Sequence, residues 1–88
     1  MTQVTVYGSD SCPFSRAAQR LLAKKDIPYD YRCVDDAPEV RQEMESLSGG
    51  TSVPQIFIGD RHIGGFDDLS ELDEDDKLDE MLAGVGGV

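Results

Sequence analysis

The sequence predicts one α/β domain, a four-stranded mixed sheet of two parallel and two antiparallel strands flanked by helices, in the order β-α-β-α-β-β-α. Three observations predict it. Hydrophobic residues recur alternately at strand spacing and at helix spacing along the chain. A two-residue turn, Gly59-Asp60, joins the last two strand-like runs as a hairpin. The 88 residues supply apolar material for one core and not for two.

Each element follows from local chemistry. Val4, Val6 and Tyr7 form a β-prone run that stops at Gly8-Ser9-Asp10-Ser11. Phe14, Ala17, Ala18, Leu21 and Leu22 then recur at helical spacing. Pro13 suits the first helical position, where its missing N–H has no intrahelical partner, so Cys12 is expected as the N-cap. Pro28 is expected to end that helix, and Tyr29 to Val34 reads as a second strand. A helix from about Pro38 to Leu47 presents Val40, Met44 and Leu47 on one face, and Gly49-Gly50-Thr51 ends it. Gln55 to Ile58 reads as a buried strand and Arg61 to Ile63 as its hairpin partner. Gly64-Gly65 stops the hairpin, and Asp67 or Asp68 is expected to cap a closing helical stretch carrying Leu69, Leu72, Leu78, Met81 and Leu82. Residues 1–83 are assigned to the domain and Gly84 to Val88 to a frayed tail. The acidic run Asp73 to Asp76 reads as a solvated helix junction.

Composition bounds the function. A formal net charge of -10 repels polyanions, which argues against nucleic acid as a partner. The acidity reads as a solubility device or an adaptation to a salty cytoplasm rather than as a docking face. No apolar run is long enough for a membrane span or a signal peptide, so a soluble cytoplasmic chain with no membrane partner is expected. Two cysteines and one histidine are too few for a disulfide scaffold or a typical zinc site, which leaves reactive thiol chemistry. At a helix N-terminus a cysteine is stabilised as thiolate by unpaired backbone N–H groups and the helix dipole, which can bring its pKa from about 8.5 down to roughly 3.5–7.5. Spacing alone leaves open that Cys12 is an inert core residue.

Three motifs decide between these. Ser11-Cys12-Pro13-Phe14-Ser15 resembles the glutaredoxin motif Cys-Pro-Tyr-Cys, with Phe14 in the aromatic slot and Ser15 replacing the second cysteine. Ser52-Val53-Pro54-Gln55-Ile56-Phe57-Ile58 resembles the family's Thr-Val-Pro segment, and Gly64-Gly65-Phe66-Asp67-Asp68 its Gly-Gly-x-Asp-Asp turn. In this order and at this length they identify the chain as similar to the small bacterial classical glutaredoxins, in a monothiol variant.

The resemblance implies a thioredoxin fold and a glutathione groove beside Cys12, lined by Phe14, Ser52, Val53, Pro54, Gly65, Phe66, Asp67 and Asp68. Pro54 would be a cis-proline that leaves the Val53 backbone free to pair with the cysteinyl part of glutathione. Backbone N–H groups of Phe66 and Asp67 would hold the γ-glutamyl carboxylate, and an Asp67 or Asp68 carboxylate would meet its ammonium. Arg41 falls where the family places a residue that reaches the glycyl carboxylate. Pro13, Ser15 and Arg16 would support the thiolate. Ser9 departs from the pattern, because many members carry a lysine there that favours the thiolate. A less stabilised thiolate than in those relatives is therefore expected.

The reaction so implied is monothiol reduction of glutathione mixed disulfides through Cys12, with glutathionylated proteins as partners, glutathione reductase acting indirectly, and the chain a monomer. Cys33, on one face of the second strand with Tyr29 and Tyr31, is expected to be a small buried core residue, and His62 a surface strand residue. The competing reading is a dimeric carrier of a glutathione-ligated [2Fe–2S] cluster, with Cys12 as metal ligand. Pro13 in place of that subgroup's glycine weighs against it. A redox-inert acidic interaction domain is the third reading.

Overall fold

A computed structural model describes residues 4–75 and 77–78. The chain runs β1 (Val4–Gly8), α1 (Pro13–Lys24), β2 (Tyr29–Cys33), α2 (Pro38–Ser48), β3 (Gln55–Ile58), β4 (Arg61–Gly64) and α3 (Phe66–Glu74). The element order is the one the sequence predicts. In the sheet the strands lie in the order β2-β1-β3-β4. β1 pairs in parallel with β2 across the α1 crossover and antiparallel with β3, and β4 completes the hairpin with β3.

The two central strands are covered on both faces, because strand side chains alternate. On one face Val4, Val6, Ile56 and Ile58 pack with Ala18 and Leu22 of α1, Leu69 of α3, and Leu78. On the other, Tyr7 and Phe57 meet edge to face with ring centroids 5.8 Å apart, and Met44 of α2 and Val34 close over them. Each large apolar side chain removed from water contributes about 1.5–3 kcal/mol. The C-terminal end of β1 is thereby fixed between two filled cores.

Four local expectations need correction. α1 ends at Lys24, before Pro28: its C-cap is Lys25, and Asp26 turns the chain at φ 57°. A left-handed residue stops the helix here, and Pro28 lies beyond it. The N-cap of α3 is Gly65, not an aspartate. Asp68 sits three residues on, and its carboxylate reaches back to accept the Gly65 N–H at 3.1 Å. Leu47 is 59% exposed although it shares a helical face with buried Met44. Cys33 is half-buried rather than buried, because β2 is an edge strand. Met81, Leu82 and the 84–88 tail lie outside the described residues. Among the described residues no helix is long and apolar enough to cross a membrane.

Candidate active site

Strand β1 ends at Gly8, and the loop Ser9–Ser11 delivers Cys12 to the start of α1. Cys12 is the N-cap residue, with extended backbone (φ -91°, ψ 119°) and Pro13 following inside the helix. Its carbonyl accepts the Arg16 N–H at 3.2 Å and its own N–H donates to the Ser9 carbonyl at 3.1 Å. No side chain caps this helix end, so its unpaired N–H groups are left to face the sulfur. The thiol is half-buried.

Partial burial pushes the Cys12 thiol up, but more acts in the other direction. The Ser15 N–H, the Ser15 hydroxyl, the Phe14 N–H and the charge of Arg16 all favour the thiolate, and together they hold the thiol below its ordinary value. Ser15 is fully buried. Its hydroxyl also accepts the Ser9 N–H at 3.2 Å, which ties the helix to the loop in front of it.

Gly8 has a steric role in the same place. A Cβ there would lie 2.8 Å from Ser15 Oγ, 2.9 Å from Ser15 Cβ and 3.0 Å from the Tyr31 ring. Only a glycine lets β1 pass this close to the first turn of α1.

Across from Cys12 lies the loop before β3. The Val53–Pro54 peptide bond is cis, and the Cys12 thiol points at the Val53 carbonyl, with sulfur and oxygen 3.8 Å apart. Gln55 steadies this loop from within the sheet: its Nε2 donates to the Ser52 carbonyl at 3.0 Å, and its Oε1 meets His62 Nε2 at 2.7 Å. Gln55 is buried, so both ends of its amide are used, and the exposed His62 is held as a cross-strand partner.

A cleft of about 300 Å³ opens beside the thiol. Phe14, Ser52, Val53 and Pro54 form one side of it, and Gly65, Phe66, Asp67 and Asp68 the other. Phe14 is 58% exposed, and its ring tilts toward Phe66 with centroids 6.3 Å apart. The Asp68 carboxylate is engaged as a helix cap, which Gly64 permits: a Cβ at Gly64 would fall 2.3 Å from Asp68 Oδ2. Asp67 is exposed at the same helix start. Eight of the nine residues expected to contact glutathione therefore share one cleft, and Arg41 is the one outside it. Arg41 Nη1 donates to the Thr51 carbonyl at 3.4 Å, just before the Ser52 edge.

Ser9, the departure from the family's lysine, is 7% exposed and turned inward. Its hydroxyl donates to Asp35 Oδ1 at 2.7 Å. Asp35 was not among the residues singled out in the sequence. Its separation of 26 residues from Ser9 leaves no local signal, since only the register of β2 on β1 brings them together.

The chain is similar to known proteins over most of its length. The sequence model of the glutaredoxin family matches residues 4–63. A glutaredoxin of Pseudomonas aeruginosa is 40% identical over 83 residues, 94% of this chain and 99% of the relative. Glutaredoxin 3 of Escherichia coli is 42% identical over 82 residues, 93% of this chain and 99% of the relative. The solution structure of glutaredoxin from Brucella melitensis superposes with a TM-score of 0.80 at 41% identity, covering 93% of this chain and 89% of that one. The crystal structure of a buckwheat glutaredoxin–glutathione complex superposes with a TM-score of 0.85 at 27% identity, covering 99% of this chain and 82% of that one.

Proposed function

The chain belongs to the glutaredoxin family, a family of thiol-disulfide oxidoreductases, and from that premise we propose that it removes glutathione from mixed disulfides by a monothiol mechanism through Cys12. The observation that carries this reading is the Cys12 sulfur set at the N-terminus of α1 and 3.8 Å from the carbonyl of Val53, a residue that lines a cleft of about 300 Å³. The Cys12 thiolate attacks the glutathione sulfur of a protein–glutathione disulfide. The old S–S bond breaks, the protein sulfur leaves as thiolate, and glutathione stays on Cys12. The thiolate of a second glutathione then attacks the glutathione sulfur held on Cys12. Oxidised glutathione leaves, and the Cys12 thiolate is regenerated.

Ser15 has no thiol with which to resolve the Cys12 mixed disulfide internally, so the second glutathione must do it. Each part of glutathione has a partner of suitable chemistry. The Val53 backbone would pair with its cysteinyl residue as a short added strand. The N–H groups at the start of α3, at Phe66 and Asp67, suit the γ-glutamyl carboxylate, with the exposed Asp67 carboxylate for its ammonium. The Phe14 and Phe66 rings wall the cleft, and Arg41 would reach the glycyl carboxylate by turning from Thr51. The buckwheat relative was crystallised with glutathione, which supports the same class of ligand here.

Glutathione titration of Cys12→Ser, followed by amide NMR, tests the ligand. Shift changes concentrated at Val53, Gly65, Phe66 and Asp67 are expected. Changes confined to other surfaces would overturn the assignment. A coloured, glutathione-dependent dimer after anaerobic iron reconstitution, without disulfide turnover, would replace it with a cluster carrier.

A further inference from the structure

Besides the Ser15 hydroxyl, one carboxylate anchors the loop in front of the reactive cysteine. Asp35 follows β2, and its position is fixed by buried Val34, whose N–H donates to the Gly8 carbonyl at 2.9 Å. One Asp35 oxygen accepts the Ser9 hydroxyl at 2.7 Å, and the other accepts the Asp10 N–H at 3.0 Å. The Ser9 hydroxyl oxygen in turn accepts the Ser11 N–H at 3.3 Å. Tyr31, on the same face of β2, donates its hydroxyl to Asp10 Oδ1 at 2.9 Å. The carboxylate therefore reaches every residue between β1 and Cys12, either directly or through Ser9.

From this geometry we infer that Asp35 is a positioning residue, which fixes the Ser9–Ser11 loop and thereby aims the Cys12 sulfur at the N–H groups of α1. The inference rests on Cys12 being the reacting thiol, as proposed above. Asp10, Cys33 and Asp35 bring three ligand-type atoms within 4.8 Å of one another, but both Asp35 oxygens already accept hydrogen bonds, so the cluster is accounted for as a clamp. The groups facing Asp35 are the Ser9 hydroxyl, the Asp10 N–H, the Cys33 thiol, the Arg41 charge from α2 and the neighbouring Asp10 carboxylate. The Ser9 hydroxyl, the Asp10 N–H, the Cys33 thiol and Arg41 favour its ionised form against slight desolvation, and its carboxyl lies below the ordinary aspartate value. At neutral pH the clamp is therefore in its accepting state.

Positioning and charge predict opposite shifts, which makes the role testable. A carboxylate near a thiolate disfavours it, so simple loss of the Asp35 charge would lower the Cys12 pKa. Loss of the clamp lets the sulfur swing away from the helix N–H groups, which raises it. The experiment is the pH dependence of iodoacetamide alkylation, read at the Cys12 peptide by mass so that Cys33 does not contribute. It compares wild type, Asp35→Ala, Asp35→Asn and Asp36→Asn. Asp36 is exposed, adjacent and equally charged, and serves as the charge control.

Asp35→Ala is expected to raise the midpoint by about half a unit, leaving about threefold less thiolate at a pH below it. Asp35→Asn keeps one oxygen for the Ser9 hydroxyl, and its midpoint should still lie above that of Asp36→Asn. If Asp35→Ala does not fold, that second comparison carries the test. Midpoints for the Asp35 variants at or below that of Asp36→Asn would overturn the inference. A raised midpoint without turnover of glutathionylated peptide would support it and overturn only the glutathione reaction.

Discussion

Replacing Ser15 by alanine removes one fully buried oxygen beside Cys12, and the structure sets the size of the effect. Ser15 is fully buried and Ser9 is 7% exposed, so water cannot readily replace the hydroxyl that accepts the Ser9 N–H at 3.2 Å. A buried donor left without a partner costs about 1–3 kcal/mol. Taking about 2 kcal/mol, and roughly 4–8 °C per kcal/mol for a domain of this size, Ser15→Ala should lower Tm by roughly 8–16 °C. The same hydroxyl favours the Cys12 thiolate, so the thiol pKa should rise in the variant. Urea unfolding at neutral pH reads the first effect and the pH profile of Cys12 alkylation the second. A variant within about 0.3 kcal/mol of wild type, far below the cost of a buried unpaired donor, with an unmoved alkylation midpoint, would refute the claim that this hydroxyl joins loop, helix and thiolate.

Other consequences follow from the packing and the titration of the site. Gly8→Ala places a Cβ 2.8 Å from Ser15 Oγ, and overpacking of this kind should cost about 1–3 kcal/mol and slow Cys12 alkylation as α1 is pushed off β1; equilibrium unfolding and alkylation rates check both. Met44→Ala empties the centre of the second core, where Met44 is fully buried, and should cost about 2–5 kcal/mol in urea unfolding while leaving the Cys12 alkylation midpoint in place. The folded Cys12 thiol lies below its ordinary value, so the native state binds fewer protons than the unfolded chain as pH rises. Its contribution to stability is fully present above the unfolded pKa of about 8.5 and is lost as pH falls through the lower folded value. Wild type should therefore gain stability relative to Cys12→Ser as pH rises toward the unfolded thiol value of about 8.5, in paired unfolding curves; a constant difference would contradict the lowered thiol.

Where a few neighbouring residues determine the structure, the sequence was sufficient. Pro13 after Cys12 places the N-cap, Gly59-Asp60 makes the hairpin, and alternating Ile56, Phe57 and Ile58 mark a strand buried on both sides. The cleft was legible in another way, because Phe14, Ser52 to Pro54 and Gly65 to Asp68 are separate in sequence and only the family resemblance placed them together. Missed features depended on elements meeting. Ser9 finds Asp35 through the pairing of β1 with β2, Leu47 is exposed although helical periodicity puts it on the face of buried Met44, and Cys33 is half-buried because β2 is an edge strand. The capping of α3 was legible in part: Asp68 does cap the helix start, but from the third helical position, accepting the N–H of the N-cap residue Gly65.

The most direct test of the account is turnover of a glutathionylated peptide by glutathione and glutathione reductase, with wild type, Cys12→Ser and Cys33→Ser measured in parallel. The account predicts full turnover for wild type, near-wild-type turnover for Cys33→Ser, and none for Cys12→Ser. Turnover that survives in Cys12→Ser, or that is lost in Cys33→Ser with Cys12 still reactive toward iodoacetamide, would contradict a monothiol mechanism at Cys12.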